Sequence, residues 1–339
     1  MAEERKTIYL CLAHMSENGM EQKYVKEAFD TNWVVPLGPN VNGFEDDLKS
    51  FVSKKSDGTD LQKEVVALSA GTAAVHLGLL ACGVGLGDEV CVQSFTFCAS
   101  SHPITYLGAT PVFIDSEPNT WNMDTELLEK AIIDRKEKTG KYPKAIVPVA
   151  LYGMPYDCDR IMAIADKYGI PVVEDAAEGF GSRYKGQVLG TFGKFGVLSF
   201  NGNKMITTSG GGALICNDAE SKNQVMWYAT QARDSYPYYQ HTAIGYNYRM
   251  SNVCAGIGRG QMTVLEDHIA HHKHVQQLYK ELLKDVEGIT LHEAPNADYD
   301  SNFWLCTIVL DDKLKVKGQE NAYKEVVKTA VGGAAGVIH

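Results

Sequence analysis

Short apolar runs alternate with stretches of helical spacing over the first two thirds of the chain. Buried strands are predicted at Glu64–Leu68, Glu89–Val92, Pro111–Asp115, Ala145–Val149, Pro171–Glu174, Phe195–Phe200 and Ala213–Cys216. The predicted helix Thr72–Cys82 is apolar on nearly every side, as expected for a helix inside a large core. Apolar strands separated by helices predict an α/β fold, with a mainly parallel sheet covered on both faces.

Further helices precede, separate and follow these strands. They are predicted at Glu21–Phe29, Gly43–Val52, Phe97–Leu107, Leu127–Lys136 (capped by Asp124), Asp157–Tyr168 and Glu220–Gln231. After Asp218 the alternation ends. There the pattern predicts helices at Gly256–His274, Val275–Leu283 and Asn321–Ala330, and a strand at Asn302–Leu310.

This change of pattern divides the chain near Arg249. We expect a large domain over residues 1–249 and a smaller C-terminal α+β domain over residues 250–339. Residues 1–35 are expected to pack on the small domain. The final stretch from Val331, rich in glycine and alanine, predicts that the small domain is incomplete.

Composition argues against several classes of protein. With 339 residues, 45% of them hydrophobic, the chain is long enough for two domains, and its net charge of −10 argues against a nucleic-acid partner. The eight cysteines include no Cys-x-x-Cys pair, which indicates free thiols rather than a disulfide framework or a metal site. The sequence has no signal-peptide pattern and no apolar run of membrane-spanning length, so it predicts a cytoplasmic protein without a membrane partner.

The stretch Phe195–Gly212 carries the strongest chemical signal. A polar turn follows its apolar strand and delivers Lys204, after which come hydroxyl residues, three glycines and a second apolar run. A single lysine between two core strands is unusual, because a charge is normally solvated. We interpret Lys204 as the residue that forms a Schiff base with pyridoxal 5′-phosphate (PLP); the alternative is a lysine on a surface turn.

PLP also requires an acid beside its ring nitrogen and a cradle for its phosphate. Asp175 ends a predicted strand, and its neighbour Glu174 points to the opposite side, so one of the two acids is expected to be structural. Gly71 and Thr72 open a buried helix, whose N-terminal N–H groups attract anions, and Ser199 supplies another hydroxyl. One alternative is that Asp175 only caps the turn that follows it. The other is that Gly71 and Thr72 form an ordinary turn between a strand and a helix.

Two more segments carry candidate ligands. The pattern places Phe95 and Phe97 on one strand face, with Phe97 suited to cover the pyridine ring; the alternative is that both are core residues. Asn247 and Arg249 lie in Gly245–Met250, where an amide and a planar guanidinium suit contact with an anion. The alternative there is a loop that joins domains and exposes its arginine.

Several motifs follow one another in a specific order. They read PLGPNVNGFE, SAGTAAVHLGL, SFTFCASSHPITYLGATPVFID, VALYGMP, VEDAAEGFGSRYKG, LGTFGKFGVLSFNGNKMITTSGGGALI and GYNYRMSN. From about Leu37 to Gln261 the chain thereby resembles the nucleotide-sugar aminotransferases of the DegT/StrS type, which have the type I PLP fold. Ser-Phe-Asn-Gly-Asn-Lys and Glu-Asp-Ala-Ala-Glu most resemble the bacterial aminotransferase of UDP-N-acetylbacillosamine synthesis.

The resemblance implies four contacts with the reactive half of the cofactor. Lys204 is the Schiff-base lysine, and Asp175 meets the pyridine nitrogen. Phe97 lies against the ring. Glu178, where many members of the family have glutamine or histidine, contacts the cofactor near its 3-hydroxyl.

The resemblance also implies how the phosphate is held. Gly71, Thr72 and Ser199 bind it within one subunit. Asn247 reaches the phosphate of the cofactor in the neighbouring subunit, and Arg249 follows in the same shared loop. These contacts imply a homodimer with active sites shared between subunits.

The activity implied by the resemblance is amine transfer from glutamate to the C4 ketone of a UDP-linked 4-keto-6-deoxy-2-acetamido sugar, for bacterial glycan precursors. Two alternatives stay open: a different nucleotide-linked 4-keto sugar as substrate, or a truncated or regulatory PLP-binding protein without turnover. A related PLP-dependent sugar dehydratase would carry histidine in place of Lys204. A nicotinamide oxidoreductase is disfavoured because no strand leads into Gly-x-Gly-x-x-Gly.

Overall fold

A computed structural model describes residues 13–311. In chain order the α-helices are α1 (Met20–Asp30), α2 (Pro39–Val52), α3 (Gly71–Ala81), α4 (His102–Tyr106), α5 (Thr125–Thr139), α6 (Cys158–Tyr168), α7 (Ala219–Ala229), α8 (Asn252–Met262) and α9 (Leu265–Leu283). The strands are β1 (Glu64–Leu68), β2 (Glu89–Gln93), β3 (Thr110–Ile114), β4 (Ala145–Val147), β5 (Val173–Asp175), β6 (Arg183–Tyr184), β7 (Gln187–Val188), β8 (Phe195–Ser199), β9 (Gly212–Cys216), β10 (Ile289–Leu291), β11 (Tyr299–Asp300) and β12 (Ile308–Leu310).

The central sheet runs in the order β3–β2–β4–β5–β8–β9–β1. Strand β2 pairs in parallel with β3 and β4, β5 pairs in parallel with β8, and two parallel bridges join the β4 and β5 segments. Strand β9 is antiparallel to both β8 and β1, because it follows β8 without an intervening helix. The predicted, mainly parallel sheet is confirmed.

Side chains of the central strands alternate between two buried clusters, one on each face of the sheet. In β1, Val65 and Ala67 join the cluster that contains Phe44 of α2, whereas Val66 and Leu68 join the opposite cluster with α3 and α7. Helix α3 has buried residues all round because it lies between the sheet and other helices. The expectation that helices cover both faces is therefore met.

Helix α1 lies against α8. The Gln261 amide nitrogen donates to Glu21 Oε1 at 2.7 Å, and the Asn18 amide nitrogen donates to Thr263 Oγ1 at 3.0 Å. These contacts join the start of the described chain to the region after Arg249. The division at residue 249 stays a prediction.

Several predicted boundaries are wrong. The stretch Phe97–Leu107 forms a 3-10 turn (Cys98–Ser100) and then α4, because Pro103 belongs in the first turn of a helix and not in its interior. The break between α8 and α9 falls at residues 263–264, eleven residues before the predicted boundary between His274 and Val275. There the Thr263 hydroxyl donates to the Gly260 carbonyl at 2.6 Å and satisfies the end of α8.

The C-terminal part differs further from the expectation. Only β12 remains of the strand predicted at Asn302–Leu310, because residues 301–305 form a loop held by buried side-chain hydrogen bonds. The short strands β10 and β11 were not predicted. The helix predicted at Asn321–Ala330 and the end after Val331 lie outside the described residues.

Residues 13–311 also bear on the expectations for thiols, membrane and metal. Cys91, Cys158 and Cys216 are buried and carry free thiols. In that range no helix combines the length and the apolar character that crossing a bilayer requires. The same range contains no group of three or more histidine, cysteine or acidic side chains arranged to hold a metal ion.

Glu174 is the acid that the sheet uses for structure. It is fully buried, and Oε2 accepts from the Tyr156 hydroxyl at 2.6 Å and from the Gly190 N–H at 3.0 Å. Oε1 accepts from the N–H groups of Phe192 and Gly193 at 2.6 and 2.5 Å. A buried carboxylate needs hydrogen-bond donors to compensate for the loss of water. By accepting from these N–H groups, Glu174 holds the loop 189–193 against the end of β5.

We predict that Glu174→Gln destabilises the protein by about 2 kcal/mol, because an amide nitrogen cannot accept from the donors that the lost oxygen served. Urea unfolding of the cofactor-free protein measures the change. Glu287→Gln, at an exposed acid, serves as the control and should alter stability by less than about 0.5 kcal/mol. Equal stability of the two variants would contradict the structural role of Glu174.

Candidate active site

A cavity of about 360 Å³ opens at the C-terminal ends of β5 and β8, beside the N-terminus of α3. This is the edge at which open α/β sheets bind ligands. The cavity gathers seven of the residues singled out in the sequence: Gly71, Thr72, Phe97, Asp175, Glu178, Ser199 and Lys204.

Lys204 lies in the turn after β8, where its N–H donates to the Asn201 carbonyl at 3.0 Å. Its side chain is only 13% exposed, and its Nζ is 3.4 Å from Glu178 Oε1. The Nζ also lies 4.2 Å from the centre of the Trp304 ring. The alternative of a solvated surface lysine is therefore wrong.

Asp175 ends β5 and is 5% exposed. The Ser100 hydroxyl donates to Oδ2 at 2.7 Å, and the Ala177 N–H donates to Oδ1 at 3.1 Å. Burial raises the pKa of Asp175, although these two bonds and the charge of Lys204 oppose the shift. The carboxylate is thus poorly compensated and suited to a cationic partner.

Glu178 is the second carboxyl of the cavity. Its Oε2 accepts from the Tyr152 N–H at 2.7 Å, which Tyr152 presents from a left-handed conformation with φ +55°. Burial raises the pKa of Glu178, and the nearby charge of Asp175 raises it further. The positive charge of Lys204 acts in the opposite direction. Two buried acids therefore converge on one lysine.

The start of α3 forms a cradle with the end of β8. A Cβ built on Gly71 would lie 3.0 Å from Ser199 Cβ and 3.2 Å from its Oγ, so any side chain at Gly71 would fill the space. The N-cap residue Ala70 offers no side chain to the first N–H groups of the helix. Free N–H groups with hydroxyls at Thr72 and Ser199 fit a phosphate, as PLP requires.

Phe97 reaches the cavity by a different route from the one predicted. Strand β2 ends at Gln93, so Phe95 and Phe97 do not share a strand face. The Gln93 side chain donates to the Phe95 carbonyl at 2.8 Å and accepts from the Met123 N–H at 2.8 Å, which bends the chain away from the sheet. Phe97 is 66% exposed at the cavity wall, whereas the ring of Phe95 contacts Tyr152.

Asn247 and Arg249 do not reach the cavity of their own chain. Asn247 is exposed. Arg249 is not an exposed arginine of a linking loop: its Nη1 donates to Glu45 Oε1 at 2.6 Å and to the Ala67 carbonyl at 2.9 Å, and its side chain is 9% exposed. Within one chain the guanidinium is therefore committed to α2 and β1, and its assignment as an anion ligand is not supported there.

Sequence reasoning missed three contributors: Ser100, Tyr152 and Trp304. Ser100 and Tyr152 stand inside motifs of the resemblance, but their hydrogen bonds depend on a 3-10 turn and a left-handed residue that periodicity does not reveal. Trp304 lies 100 residues after Lys204 along the chain. Because the pattern predicts a strand at Asn302–Leu310, it gives no indication that Trp304 contacts the site.

The fold and this site together define a class. A central sheet of this order, with an interior lysine, an acid at a strand end and a helix N-terminus beside them, is that of a PLP-dependent enzyme of fold type I. The family model of the DegT/DnrJ/EryC1/StrS aminotransferases matches residues 15–333, so the chain belongs to that family. Its cofactor is PLP, as the sequence predicted.

Three relatives illustrate the range of the family. EpsN of Bacillus subtilis (strain 168), itself only provisionally assigned as a PLP-dependent aminotransferase, is 47% identical over 309 residues (91% of this chain, 76% of EpsN). GDP-perosamine synthase of Escherichia coli O157:H7 is 36% identical over 301 residues (89% and 78%). The UDP-2-acetamido-2-deoxy-3-oxo-D-glucuronate aminotransferase of Pseudomonas aeruginosa is 38% identical over 288 residues (84% and 75%).

Solved structures agree with this assignment. A DegT/DnrJ/EryC1/StrS aminotransferase from Brucella abortus superposes with a TM-score of 0.79 at 30% identity, covering 87% of this chain and 76% of that one. The PLP form of the sugar aminotransferase Spr1654 from Streptococcus pneumoniae, whose function is itself provisional, superposes with a TM-score of 0.81 at 25% identity (95% and 83%). The chain is thus a PLP-dependent aminotransferase with nucleotide-sugar enzymes among its relatives.

We predict that Asp175→Asn flattens the pH dependence of stability in the cofactor-free protein. The folded-state pKa of Asp175 lies above its unfolded value, so this carboxyl's contribution to stability is complete below the unfolded pKa. It is lost as pH rises through the folded pKa. At pH 8 the free energy of unfolding of the variant should exceed that of the wild type by more than about 0.5 kcal/mol. Surface substitutions usually change the free energy of unfolding by less than this.

Urea unfolding at pH 5 and pH 8 measures this effect. Asp285→Asn, at an exposed position, is the matched control and should follow the wild type at both values. A variant at Asp175 that loses stability at pH 8 would contradict a poorly compensated buried carboxylate.

We predict that Gly71→Ala weakens binding of pyridoxamine 5′-phosphate about tenfold, because the added methyl group crowds Ser199 and narrows the cradle. Calorimetric titration of the cofactor-free protein measures the affinity. Gly85→Ala is the control, because no atom lies within 4 Å of the methyl group added there. Unchanged affinity in Gly71→Ala would place the phosphate elsewhere.

Proposed function

We propose that this protein transfers an amino group from glutamate to the C4 ketone of a UDP-linked 4-keto-6-deoxy-2-acetamido sugar, for bacterial glycan precursors. The observation that carries the proposal is the convergence of Lys204, Asp175 and Glu178 in one cavity beside an anion cradle. Membership of the family supports amine transfer. The relatives named for GDP and UDP sugars support a nucleotide-linked substrate.

PLP, when bound, supplies an aldehyde that accepts the amino group and a ring that delocalises the electron pair left by proton removal. Asp175 holds the proton of the ring nitrogen, because its carboxylate has only two hydrogen-bond donors of its own. Gly71, Thr72 and Ser199 bind the phosphate through N–H and hydroxyl groups.

Lys204 has two tasks in this proposal. Its Nζ would hold the cofactor covalently and, when free, would remove and return the proton at the reacting substrate carbon. Glu178 Oε1, 3.4 Å away, balances the charge of the Nζ when it is protonated. The side chain is 13% exposed, which keeps bulk water from competing for that proton.

The protein acts as a homodimer with shared active sites in this proposal. Asn247 is exposed and outside its own cavity, so it is available to the phosphate cradle of a partner subunit. Arg249 supports the loop through Glu45, and a direct contact of Arg249 with the cofactor is not needed. The unpaired thiols of Cys91, Cys158 and Cys216 suit the reducing cytoplasm, where we place the enzyme.

A GDP-linked sugar is the second candidate substrate, favoured by the 36% identity to GDP-perosamine synthase. The UDP sugar in the name of the Pseudomonas aeruginosa relative has its oxo group at C3. The position of the ketone in the substrate therefore also has to be measured. A panel of UDP-, GDP- and dTDP-linked keto sugars with glutamate separates these choices. Product structure by NMR identifies the sugar and the aminated carbon.

We predict that Lys204→Ala lowers turnover by at least about 100-fold and removes the absorbance of the covalently linked cofactor, because no second lysine from residues 13–311 lines this cavity. The assay follows 2-oxoglutarate release from glutamate with each nucleotide sugar. Lys194→Ala, at an exposed lysine ten residues earlier, is the control and should keep full activity. Unchanged turnover in Lys204→Ala would end the proposal.

A further inference from the structure

Trp304 lies against the turn that carries Lys204. Its ring centre is 4.2 Å from Lys204 Nζ, and its Nε1–H donates to the Asn203 carbonyl at 2.7 Å. The indole is 7% exposed. One side chain thus contacts both the amine and the backbone that precedes it.

Asn302 holds Trp304 in this place. The fully buried Asn302 accepts from the Trp304 N–H at 2.8 Å through Oδ1. Its Nδ2 donates to the Glu178 and Phe180 carbonyls at 3.0 and 2.9 Å. The same short segment therefore ties the turn of Lys204 to the turn of Glu178.

The chain is shaped to receive Asn302. A Cβ built on Gly153 would lie 1.9 Å from Asn302 Oδ1, so only glycine leaves room for the amide. The hydroxyls of Ser182 and Ser301 both donate to the Gly153 carbonyl, at 2.6 and 3.0 Å. These hydrogen bonds and this close contact hold segment 301–304 in one position beside the site.

We propose that Trp304 is a positioning residue for Lys204: its ring face holds the free amine beside Glu178, in position to bond to the cofactor. This inference rests on the proposed covalent role of Lys204. A lysine side chain has many rotamers, and a fixed ring and carboxylate reduce them before the reaction. An ammonium over an indole face is also attracted to the ring.

Other charges surround this amine and must be separated from the effect of Trp304. Glu178 Oε1 lies 3.4 Å away, and Asp175 acts on Lys204 through its charge. On the other side, Lys204 also lines a cavity of about 300 Å³ together with four histidines: His14, His268, His271 and His272. Rates therefore have to be compared over a range of pH.

The test follows attachment of PLP to the cofactor-free protein by stopped-flow absorbance. The neutral Nζ adds to the aldehyde carbon, a C=N bond forms, and the aldehyde oxygen leaves as water with the two amine protons. At high pH the rate reaches a plateau at which the amine is neutral, so the plateau reports position rather than charge. Pyridoxamine 5′-phosphate has no aldehyde, and its affinity reports the cavity without the bond.

We predict that Trp304→Leu lowers the plateau rate about tenfold, whereas Trp304→Phe, which keeps a flat ring packed against the amine, stays within about threefold of the wild type. Both variants should bind pyridoxamine 5′-phosphate with wild-type affinity. Phe303→Leu, which removes a neighbouring aromatic ring from the same segment, is the matched control and should attach PLP at the wild-type rate.

Two results would overturn the inference: an unchanged plateau in Trp304→Leu, or equal losses of plateau rate and pyridoxamine 5′-phosphate affinity. The second would assign Trp304 a purely structural role. If the wild type itself attached no PLP, the proposed function would fail instead.

A second measurement reports the contact between Trp304 and Lys204 directly, without a reaction rate. The chain has four tryptophans, and Trp304→Phe identifies the Trp304 signal in an indole ¹H–¹⁵N spectrum. Lys204→Met should shift that signal and leave those of Trp33, Trp121 and Trp227 in place. A Trp304 signal that does not respond would contradict the contact.

Discussion

The parallel pairing of β5 with β8 is the constraint on which the rest of the site depends. Asp175 stands opposite Val197 in this register, so the last residue of β5 and the turn after β8 meet at one edge of the sheet. Lys204 and Asp175 are 29 positions apart in the sequence, yet both line one cavity. A slip of one residue in β5 would turn Asp175 to the opposite face and bring Glu174 to the cavity.

Burial is compensated differently at the three acids around this edge. Glu174 accepts four hydrogen bonds and acts as a structural fastener. Asp175 has two donors, and Glu178 has one N–H together with the amine of Lys204. The acids with fewer donors are those that face the cavity, where a cationic partner completes them. The difference in hydrogen bonding thus separates the structural acid from the two candidates for chemistry.

A segment near the end of the described chain also forms part of the wall of the site. Asn302 and Trp304 connect the turns of Glu178 and Lys204, although both residues come long after the central sheet is complete. Arg249 shows the opposite outcome. It lies in a motif that suggested an anion ligand, but its guanidinium pairs with Glu45 and stabilises the join between α2 and β1.

Local patterns along the chain are sufficient to predict the parallel α/β fold, the strand-end positions of Asp175 and Ser199, the helix start at Gly71 and the interior place of Lys204. These features follow from short-range patterns, since apolar periodicity and turn residues act within about ten positions. Three features emerge only once the chain is folded: Phe97 lies on a loop, Arg249 is an internal ion-pair partner and Trp304 covers the amine. Each of these depends on contacts between distant parts of the chain or on single left-handed and buried hydrogen-bonded residues. A periodic pattern carries no information about such contacts.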